Sequence, residues 1–435
     1  MGNYAEFWVG SFYLGKTKGE VDPKLAHLFR DSDQTVLEGK KSDLPFRRRL
    51  WFDHVKDDER VTTFFYHSPV PVVRERLNLK GYTVATALSA VSLCLELAAT
   101  FYDSWRWRFE ALAGATGEHW FAVLKWIKDN EQLSENVRAE LDGAAGELVA
   151  CMRGVDWFGY PGPDLNVPLR LALEICRDTD EFFCDETDLL LAADIFVPED
   201  AFSFLGNLSL EGSSPTRTII ITEGRTDASI IAESLKLLCP HLADQFTFMD
   251  FEGARGGGGA GSLANILKAF AGAGIVNKTL GIFDNDTAGE AAIRTLRGIA
   301  LPPNIVALKL PDLESLRSYP TIGPSGEVAM DVNGMAASIE LYLGKDVLVD
   351  ENSKMTPVQW TGYDTSLRKY QGEVLLKDEI QERFHNRLQA CVADPQLLQT
   401  TDWFGMRAIL SAIFRSFHEL DGKQILSSLN EHFSY

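Results

Sequence analysis

Short apolar runs alternate with helix-like segments between residues 217 and 310. The segments repeat apolar residues at intervals of three and four, as at Leu263, Ile266 and Phe270, where Ser262 stands in position to cap a helix. Alternating helices and fully apolar strands predict a parallel sheet covered by helices on both faces. The predicted strands are residues 216–222, 246–251, 279–284 and 304–310.

The pattern is different before and after this segment. The first seventy residues alternate apolar and polar positions, with a hairpin in AEFWVGSFYLGKTKG and a strand in RVTTFFYH. Helical periodicity follows the strand and returns after Gly344. The sequence therefore predicts an α+β protein of several domains. These are a β-rich N-terminal subdomain (1–70), a helical domain with an acidic linker (71–200), an α/β domain (215–345) and a helical C-terminal region (346–435).

The longest apolar stretch, residues 83–102, has the length of a membrane span but carries Glu96 and several Ser and Thr. A buried helix of a soluble bundle is the better interpretation, and we expect no membrane association. The 45% of hydrophobic residues indicate an ordinary globular chain. None of the six cysteines forms a C-x-x-C pair, which argues against a zinc ribbon and favours reduced thiols in the cytoplasm.

The formal net charge of −20 is unusual for a protein that grips nucleic acid over a wide face. The acidic run DTDEFFCDETD (178–188) predicts a solvated linker or helix face, with a docking patch for a basic partner as the alternative. Long-range repulsion slows encounter with long DNA. The charge therefore predicts a small structured substrate, such as a tRNA, or delivery of the substrate by a partner.

Acidic residues follow two of the predicted strands. Glu223 comes directly after the first strand, and Asp284 and Asp286 come at the end of the third. Because ligands bind at the carboxyl ends of parallel strands, these carboxylates are expected to converge. A converged set repels itself unless a cation joins it, and oxygen ligands suit Mg²⁺ or Mn²⁺. The alternative is that Asp284 and Asp286 cap the helix that begins at Thr287.

The spacing T-E-G-x-x-D followed by D-x-D-x-A-G resembles the Toprim domain of bacterial primases, topoisomerases and OLD-family nucleases. The resemblance covers roughly residues 215–345. It implies a general acid/base that also lies close to the metal (Glu223), metal ligands (Asp284 and Asp286), a supporting acid (Asp227), a later acid that completes the site (Asp331 or Glu340) and, in nuclease versions, a lysine (Lys309).

The glycine-rich loop EGARGGGGAGS (252–262) lies between a predicted strand and a predicted helix. Its backbone N–H groups could cradle a phosphate, although no Lys-Ser/Thr follows the glycines and the loop is not a P-loop. A flexible loop and a phosphate-contacting loop remain open at this point. This loop is expected to lie beside the strand ends that carry Glu223 and Asp284, which we call the acidic edge of the sheet. That position favours contact of Arg255 and Gly257 with substrate.

The N-terminal half also resembles the module of HEPN/Toprim proteins, bacterial proteins suspected of roles in phage defence, in GNYAEFWVGSFYLG, VDPKLAHLFRDSD and RLNLKGYT. HEPN ribonucleases use R-x4–6-H, in which Arg holds phosphate and His shuttles protons. His54, preceded by Arg47 to Arg49, and His67, preceded by Arg60, match this spacing. Both lie in the β-rich start, whereas HEPN motifs lie on bundle helices, so we expect no active HEPN site.

Together these features predict a Mg²⁺- or Mn²⁺-dependent nuclease that cuts RNA, such as tRNA, or DNA, as an effector of anti-phage defence. The alternatives are a regulatory or scaffold subunit that binds without cutting and a metal-independent HEPN-type ribonuclease. No ATPase motif is present, so ATP-driven sensing would need a separate ATPase or sensor protein. A homo-oligomer is a further possibility that the sequence leaves open.

Overall fold

The chain is an α+β protein with parallel and antiparallel sheets, as predicted. It divides into an N-terminal unit, Met1–Ser214 with His418–Tyr435, and a second unit, Pro215–Phe417. The computed structural model describes residues 3–44, 49, 52–53, 55–101, 114–131, 143–192, 217–249, 258–324, 326–350 and 353–434.

A five-stranded antiparallel sheet forms the framework of the N-terminal unit. Its strands are β1 (Tyr4–Val9), β2 (Phe12–Lys18), β3 (Gln34–Lys40), β4 (Arg60–Pro69) and β5 (Glu181–Asp185). They lie in the order β2-β1-β5-β4-β3. The predicted hairpin is β1–β2 and the predicted strand at residues 60–67 is β4, so both are confirmed.

The helices that the structure describes in the N-terminal unit share one apolar core with this sheet. They are α1 (Pro23–Ala26), α2 (Val70–Leu79), α3 (Val84–Phe101), α4 (Gly117–Asp129), α5 (Gly143–Met152), α6 (Asn166–Glu174), α7 (Thr187–Ala192) and, from the far end of the chain, α14 (His418–His432). Phe7 and Phe182 of the sheet, Trp120 of α4 and Leu429 of α14 are all buried in this core.

Helix α3 is a core helix, as its apolar run predicts, with Ala87, Ala90, Val91 and Cys94 fully buried. Among the described residues, no single helix is sufficiently long and apolar to cross a membrane. One pair of consecutive helical segments, Val70–Leu79 and Val84–Ala98, is sufficiently long and apolar when the two are taken together, judged by length and composition alone. The two segments are bent by 73° relative to each other.

The acidic run 178–188 is not a solvated linker, and that prediction was wrong. Its centre forms β5, which pairs with β1 on one side and β4 on the other. Asp185 and Glu186 are buried at 0% and 3% exposure. The three apolar residues Phe182–Cys184 supply a short central strand whose β-character outweighs the flanking charges, and burial raises the pKa of Glu186.

Burial of Glu186 makes the stability of the N-terminal unit depend on pH. Burial, and then the charge of Asp185, raises the pKa of Glu186 from 4.5 to about 8. The folded state therefore keeps a proton that the unfolded chain releases, so the free energy of unfolding falls as pH rises from about 5 to about 8. In urea titrations across this range, Glu186→Gln should show a flatter pH dependence than the wild type.

The matched control is Glu59→Gln, which removes an exposed carboxylate from the same unit. It should leave the pH dependence of unfolding unchanged. A Glu186→Gln variant that keeps the full wild-type slope between pH 5 and 8 would contradict the assignment of a buried, protonated Glu186.

The second unit contains the predicted parallel sheet. Its strands are β6 (Thr218–Thr222), β7 (Phe246–Phe248), β8 (Thr279–Phe283) and β10 (Ile305–Lys309). All neighbours are parallel, in the order β10-β8-β6-β7. The connecting helices are α8 (Arg225–Leu238), α9 (Ala260–Gly272) and α10 (Thr287–Leu296). Helix α9 begins two residues before Ser262, after Gly259, so the predicted serine cap was wrong.

A mixed sheet and further helices complete the second unit. The strands β11 (Tyr319–Gly323), β12 (Gly326–Met330), β14 (Val358–Asp364) and β15 (Lys369–Val374) lie in the order β12-β11-β14-β15. The short strands β9 (Asn285–Asp286) and β13 (Ala336–Ala337) pair with each other. The helices are α11 (Lys345–Leu348), α12 (Lys377–Ala393) and α13 (Phe404–Arg415). The region 346–435, predicted to be helical, therefore also contains the β14–β15 hairpin.

Candidate active site

Two acidic residues that are 61 positions apart in sequence meet at one edge of the parallel sheet. Glu223 follows β6, and Asp284 follows β8, which pairs with β6. The backbone N–H of Asp284 donates a hydrogen bond to the Glu223 carboxylate, with 3.0 Å between N and Oε1. The parallel register of β6 and β8 brings the two strand ends together, as expected for this kind of sheet.

Glu223 also lies at the beginning of α9. The backbone N–H of Gly259, whose φ is +96°, donates to the carbonyl of Glu223 at 2.8 Å. Burial, with smaller contributions from Asp286 and Asp227, raises the pKa of Glu223 to about 7, although N–H groups of Asp284 and Ala260 oppose the rise. A carboxyl group with a pKa near 7 is suited to accept and return a proton at neutral pH.

Asp284 is the most crowded member of the group. It keeps part of its surface open to solvent, yet surrounding protein atoms raise its pKa well above the usual range. Four further carboxylates add to this rise, those of Asp227, Glu223, Asp286 and Glu340. Five acids therefore lie within electrostatic reach of one another, a set in which like charges are costly without a cation.

Two of these acids also cap helices. Asp286 is the N-cap of α10, and its Oδ1 accepts from the N–H of Gly289 at 2.6 Å. Asp227 accepts from the N–H of Gly224 at 3.0 Å and stabilises the start of α8. The capping interpretation of Asp286 is thus correct for one of its oxygens, and it fixes the carboxylate at the edge of the sheet.

The two candidates for the later acid occupy different environments. Glu340 is 3% exposed, accepts from Ser338 and Gln381, and raises the pKa of Asp284 and Asp227. Asp331 is exposed and accepts from the backbone and side chain of Asn333, both at 2.9 Å. The structure therefore brings Glu340 to the acidic group and places Asp331 in a surface turn.

Lys377, at the start of α12, is a member of the site that sequence reasoning missed. Its charge offsets part of the rise that burial causes in the pKa of Asp286 and Asp227. No motif spacing links Lys377 to the acids, because it lies beyond the predicted α/β domain. The predicted Lys309 ends β10, beside Phe283 at the end of β8.

The glycine of the D-x-D-x-A-G motif has a steric explanation. A Cβ on Gly289 would lie 2.4 Å from the carbonyl oxygen of Asp284 and 3.2 Å from Oδ1 of Asp286. A side chain at this position would displace the backbone that carries both aspartates. The motif therefore combines two aspartates with a glycine, Gly289, whose lack of a side chain allows the start of α10 to lie against them.

The remaining predicted residues lie outside this group. Arg255, Gly257 and His54 are outside the described residues. His67 hydrogen-bonds to Glu181 and to Thr35, with N–O distances of 3.2 and 3.0 Å.

Arg60 and His67 both lie on the strand β4. Seven residues along a strand place their backbones about 23 Å apart. One phosphate is far too small to contact both side chains, so this pair does not form an Arg–His site.

The acidic group has the chemistry of a site for a hard divalent cation, since all of its donors are carboxylate oxygens and their charges oppose one another. The carboxylates of this group do not enclose a common central position. Among the described residues, no three His, Cys, Asp or Glu side chains are arranged around a common point as the ligands of a metal ion would be. Asp284, Asp286, Glu223 and Glu340 supply carboxylate oxygens to this group without forming such a set of ligands.

A family model described as HEPN/Toprim N-terminal domain 1 matches residues 1–152. The match supports the HEPN/Toprim type and points to a nuclease-related role. No curated protein and no solved structure matches the chain.

Proposed function

We propose that this protein is a Mg²⁺- or Mn²⁺-dependent nuclease that hydrolyses phosphodiester bonds at the acidic edge of a Toprim domain in its second unit. The observation that carries the proposal is the hydrogen bond from the Asp284 backbone to the Glu223 carboxylate, within a group of mutually repelling acids. The match to the HEPN/Toprim N-terminal domain supports the same class.

Each acid has a distinct task in this proposal. Asp284, Asp286 and Glu340 would hold the cation, with Glu223 close to it. The cation, when bound, would neutralise the charge that builds on the phosphate oxygens. Glu223, with a pKa of about 7, takes the proton of the attacking water or returns one to the leaving oxygen. Lys377 balances part of the negative charge of Asp227 and Asp286.

The biological setting we propose is that of a cytoplasmic effector of bacterial anti-phage defence. The net charge of −20 supports a small structured substrate, such as a tRNA, or delivery of nucleic acid by a partner. A separate ATPase or sensor would then supply the trigger, and self-association could add to the assembly.

The direct test incubates the purified full chain with labelled plasmid, single-stranded DNA and total tRNA, with Mn²⁺ and with EDTA. Cleavage of at least one substrate with Mn²⁺, abolished by EDTA, would support the proposal. Cleavage that continues in EDTA would overturn it, and loss of such activity in His54→Ala would favour the HEPN-type alternative.

A second candidate function is a regulatory subunit that binds nucleic acid or a partner without cutting. The observation in its favour is that Asp227 and Asp286 already cap helices, while no closed set of three ligands exists among the described residues. Titration with Mn²⁺ separates the two functions. Absence of binding at millimolar Mn²⁺ would support the regulatory subunit, whereas binding that is lost in Asp284→Asn would support the nuclease.

A further inference from the structure

Three aromatic side chains form a row on the β14–β15 hairpin. The ring centroids of Trp360 and Tyr370 are 5.6 Å apart, and those of Tyr370 and Tyr363 are 5.2 Å apart. Tyr363 and Tyr370 are 53% and 49% exposed. We call Trp360, Tyr370 and Tyr363 the aromatic row.

The backbone of the hairpin places these rings on one face. Tyr363 pairs directly with Tyr370, and Trp360 pairs with Gly372, two residues further along β15. An irregularity in the pairing between Trp360 and Gly362 allows residues three positions apart on β14 to share a face. Gly372 leaves room for the indole, because a Cβ there would lie 2.8 Å from Trp360 Cε3.

A cross-strand tyrosine pair contributes to hairpin stability, but that role does not require exposed rings. Adjacent exposed aromatic side chains are a feature of interaction surfaces. A row of rings on a sheet is also the surface on which many proteins stack unpaired nucleic-acid bases, since every base has a π-face.

The hairpin that carries the aromatic row is hydrogen-bonded to the segment that follows Asp286. The hydroxyl of Thr287, the residue after Asp286, donates to the carbonyl of Tyr370 at 2.6 Å. The Lys369 ammonium donates to the carbonyl of Gly334 at 3.2 Å, and the N–H of Gly334 donates to the carbonyl of Asn285 at 2.9 Å. The carbonyl of Tyr370 and the side chain of Lys369 are therefore tied, the first directly and the second through Gly334, to the segment that carries Asp284 and Asp286.

Two cationic groups lie near Gly334, on the face of the hairpin to which Lys369 points, whereas the neighbouring Tyr370 points to the other face. A Cβ on Gly334, whose φ is +70°, would lie 3.0 Å from Nζ of Lys369 and 3.8 Å from Nζ of Lys309. Lys369 is paired with Glu290 at 2.6 Å. Lys309 forms no ion pair with any residue the structure describes, and the same holds for Arg368 in the turn of the hairpin. Of these cations, Lys309 near Gly334 and Arg368 in the turn are available to a phosphodiester backbone that passes from the aromatic row toward the acids.

We infer that the aromatic row is a stacking platform for the bases of an unpaired nucleic-acid strand, which it guides to the acidic edge. The inference rests on the proposed function, and it narrows the substrate to single strands or the loops of structured RNA. Base stacking selects for unpaired nucleotides because bases inside a duplex hide their faces.

The test measures binding separately from cleavage, using the full chain with Asp284→Asn so that bound strands stay intact. Fluorescein-labelled single-stranded RNA, single-stranded DNA and duplexes of the same sequence are titrated by anisotropy. We expect single strands to bind more tightly than duplexes. Tyr363→Ala or Tyr370→Ala should each weaken single-strand binding by about 5- to 150-fold.

Matched variants separate stacking from folding. Tyr363→Phe and Tyr370→Phe keep the rings and should bind within about twofold of the parent, as should Phe404→Ala, which removes a ring that is 65% exposed elsewhere in the unit. Tyr363→Leu keeps apolar area without the ring and should bind as weakly as Tyr363→Ala. Thermal unfolding of each variant identifies any that fail to fold.

A single strand that contains 2-aminopurine reports stacking directly. The fluorescence of the 2-aminopurine should fall when the strand binds the Asp284→Asn protein. It should remain high with the same protein carrying Tyr363→Ala and Tyr370→Ala together. The inference is wrong if the double variant folds and binds single strands as tightly as the parent does. The exposed rings would then be a contact surface for a protein partner. If stacking is found but Asp284-intact protein never cleaves with Mn²⁺, the proposed function fails and the platform stands.

Discussion

Replacing Asp284 by asparagine is expected to abolish cleavage and at the same time to stabilise the metal-free protein. Burial and four neighbouring carboxylates raise the pKa of Asp284, which shows that its charge is unfavourable in the folded state. Removing that charge should increase the free energy of unfolding by about 1–2 kcal/mol, as happens where an active site is destabilised for function. The same change should reduce the cleavage rate by about 10³-fold or more.

Urea unfolding in EDTA and single-turnover cleavage with Mn²⁺ measure the two effects of this substitution. The control is Asp331→Asn, which alters an exposed acid of the same unit and should change stability by less than about 0.5 kcal/mol and leave cleavage unchanged. Undiminished cleavage by Asp284→Asn would remove this residue from the reaction. Lost cleavage together with lower stability would indicate a structural role instead.

Glu223→Gln is expected to slow cleavage by about 10²- to 10⁴-fold while leaving Mn²⁺ binding largely intact. The glutamine Oε1 can still accept the hydrogen bond from the Asp284 backbone, so the strand ends should keep their positions. What the variant loses is the titratable proton of a group whose pKa is about 7. The substitution therefore separates proton transfer from cation binding.

Single-turnover rates and Mn²⁺ binding by electron paramagnetic resonance check this prediction side by side. Asp284→Asn serves as the comparison, since it should lose both binding and rate. If Glu223→Gln loses Mn²⁺ binding to the same extent as Asp284→Asn, Glu223 is mainly a ligand and its assignment as general acid/base is wrong. Normal cleavage by Glu223→Gln would exclude both roles.

The sequence was sufficient to predict the acidic edge because the apolar strands β6 and β8 define their own ends. Once those strands are parallel neighbours, Glu223 and Asp284 have to meet. The choice between Asp331 and Glu340 could not be made in the same way. It depends on the backbone between β12 and α11, which buries Glu340 and turns Asp331 to the surface.

Lys377 and the aromatic row were beyond sequence reasoning for a related reason. Both belong to the region predicted to be helical, and the β14–β15 hairpin has few buried positions to reveal a strand pattern. The error at β5 has the opposite cause. Its flanking acids indicate exposure, but Asp185 and Glu186 are buried where the strand pairs on both sides, and the resulting rise in the pKa of Glu186 has no sequence signal.

The return of α14 to the N-terminal unit has a consequence for the order in which the chain matures. Ile425 and Leu429 of this helix, together with Phe433, are buried in a core whose remaining members precede residue 190. As a ribosome synthesises the chain, the whole Pro215–Phe417 unit emerges before that core can close. Nascent chains that stall before His418 should therefore expose apolar surface and be recognised by chaperones or proteases, so that only molecules translated through α14 acquire a complete core in the N-terminal unit.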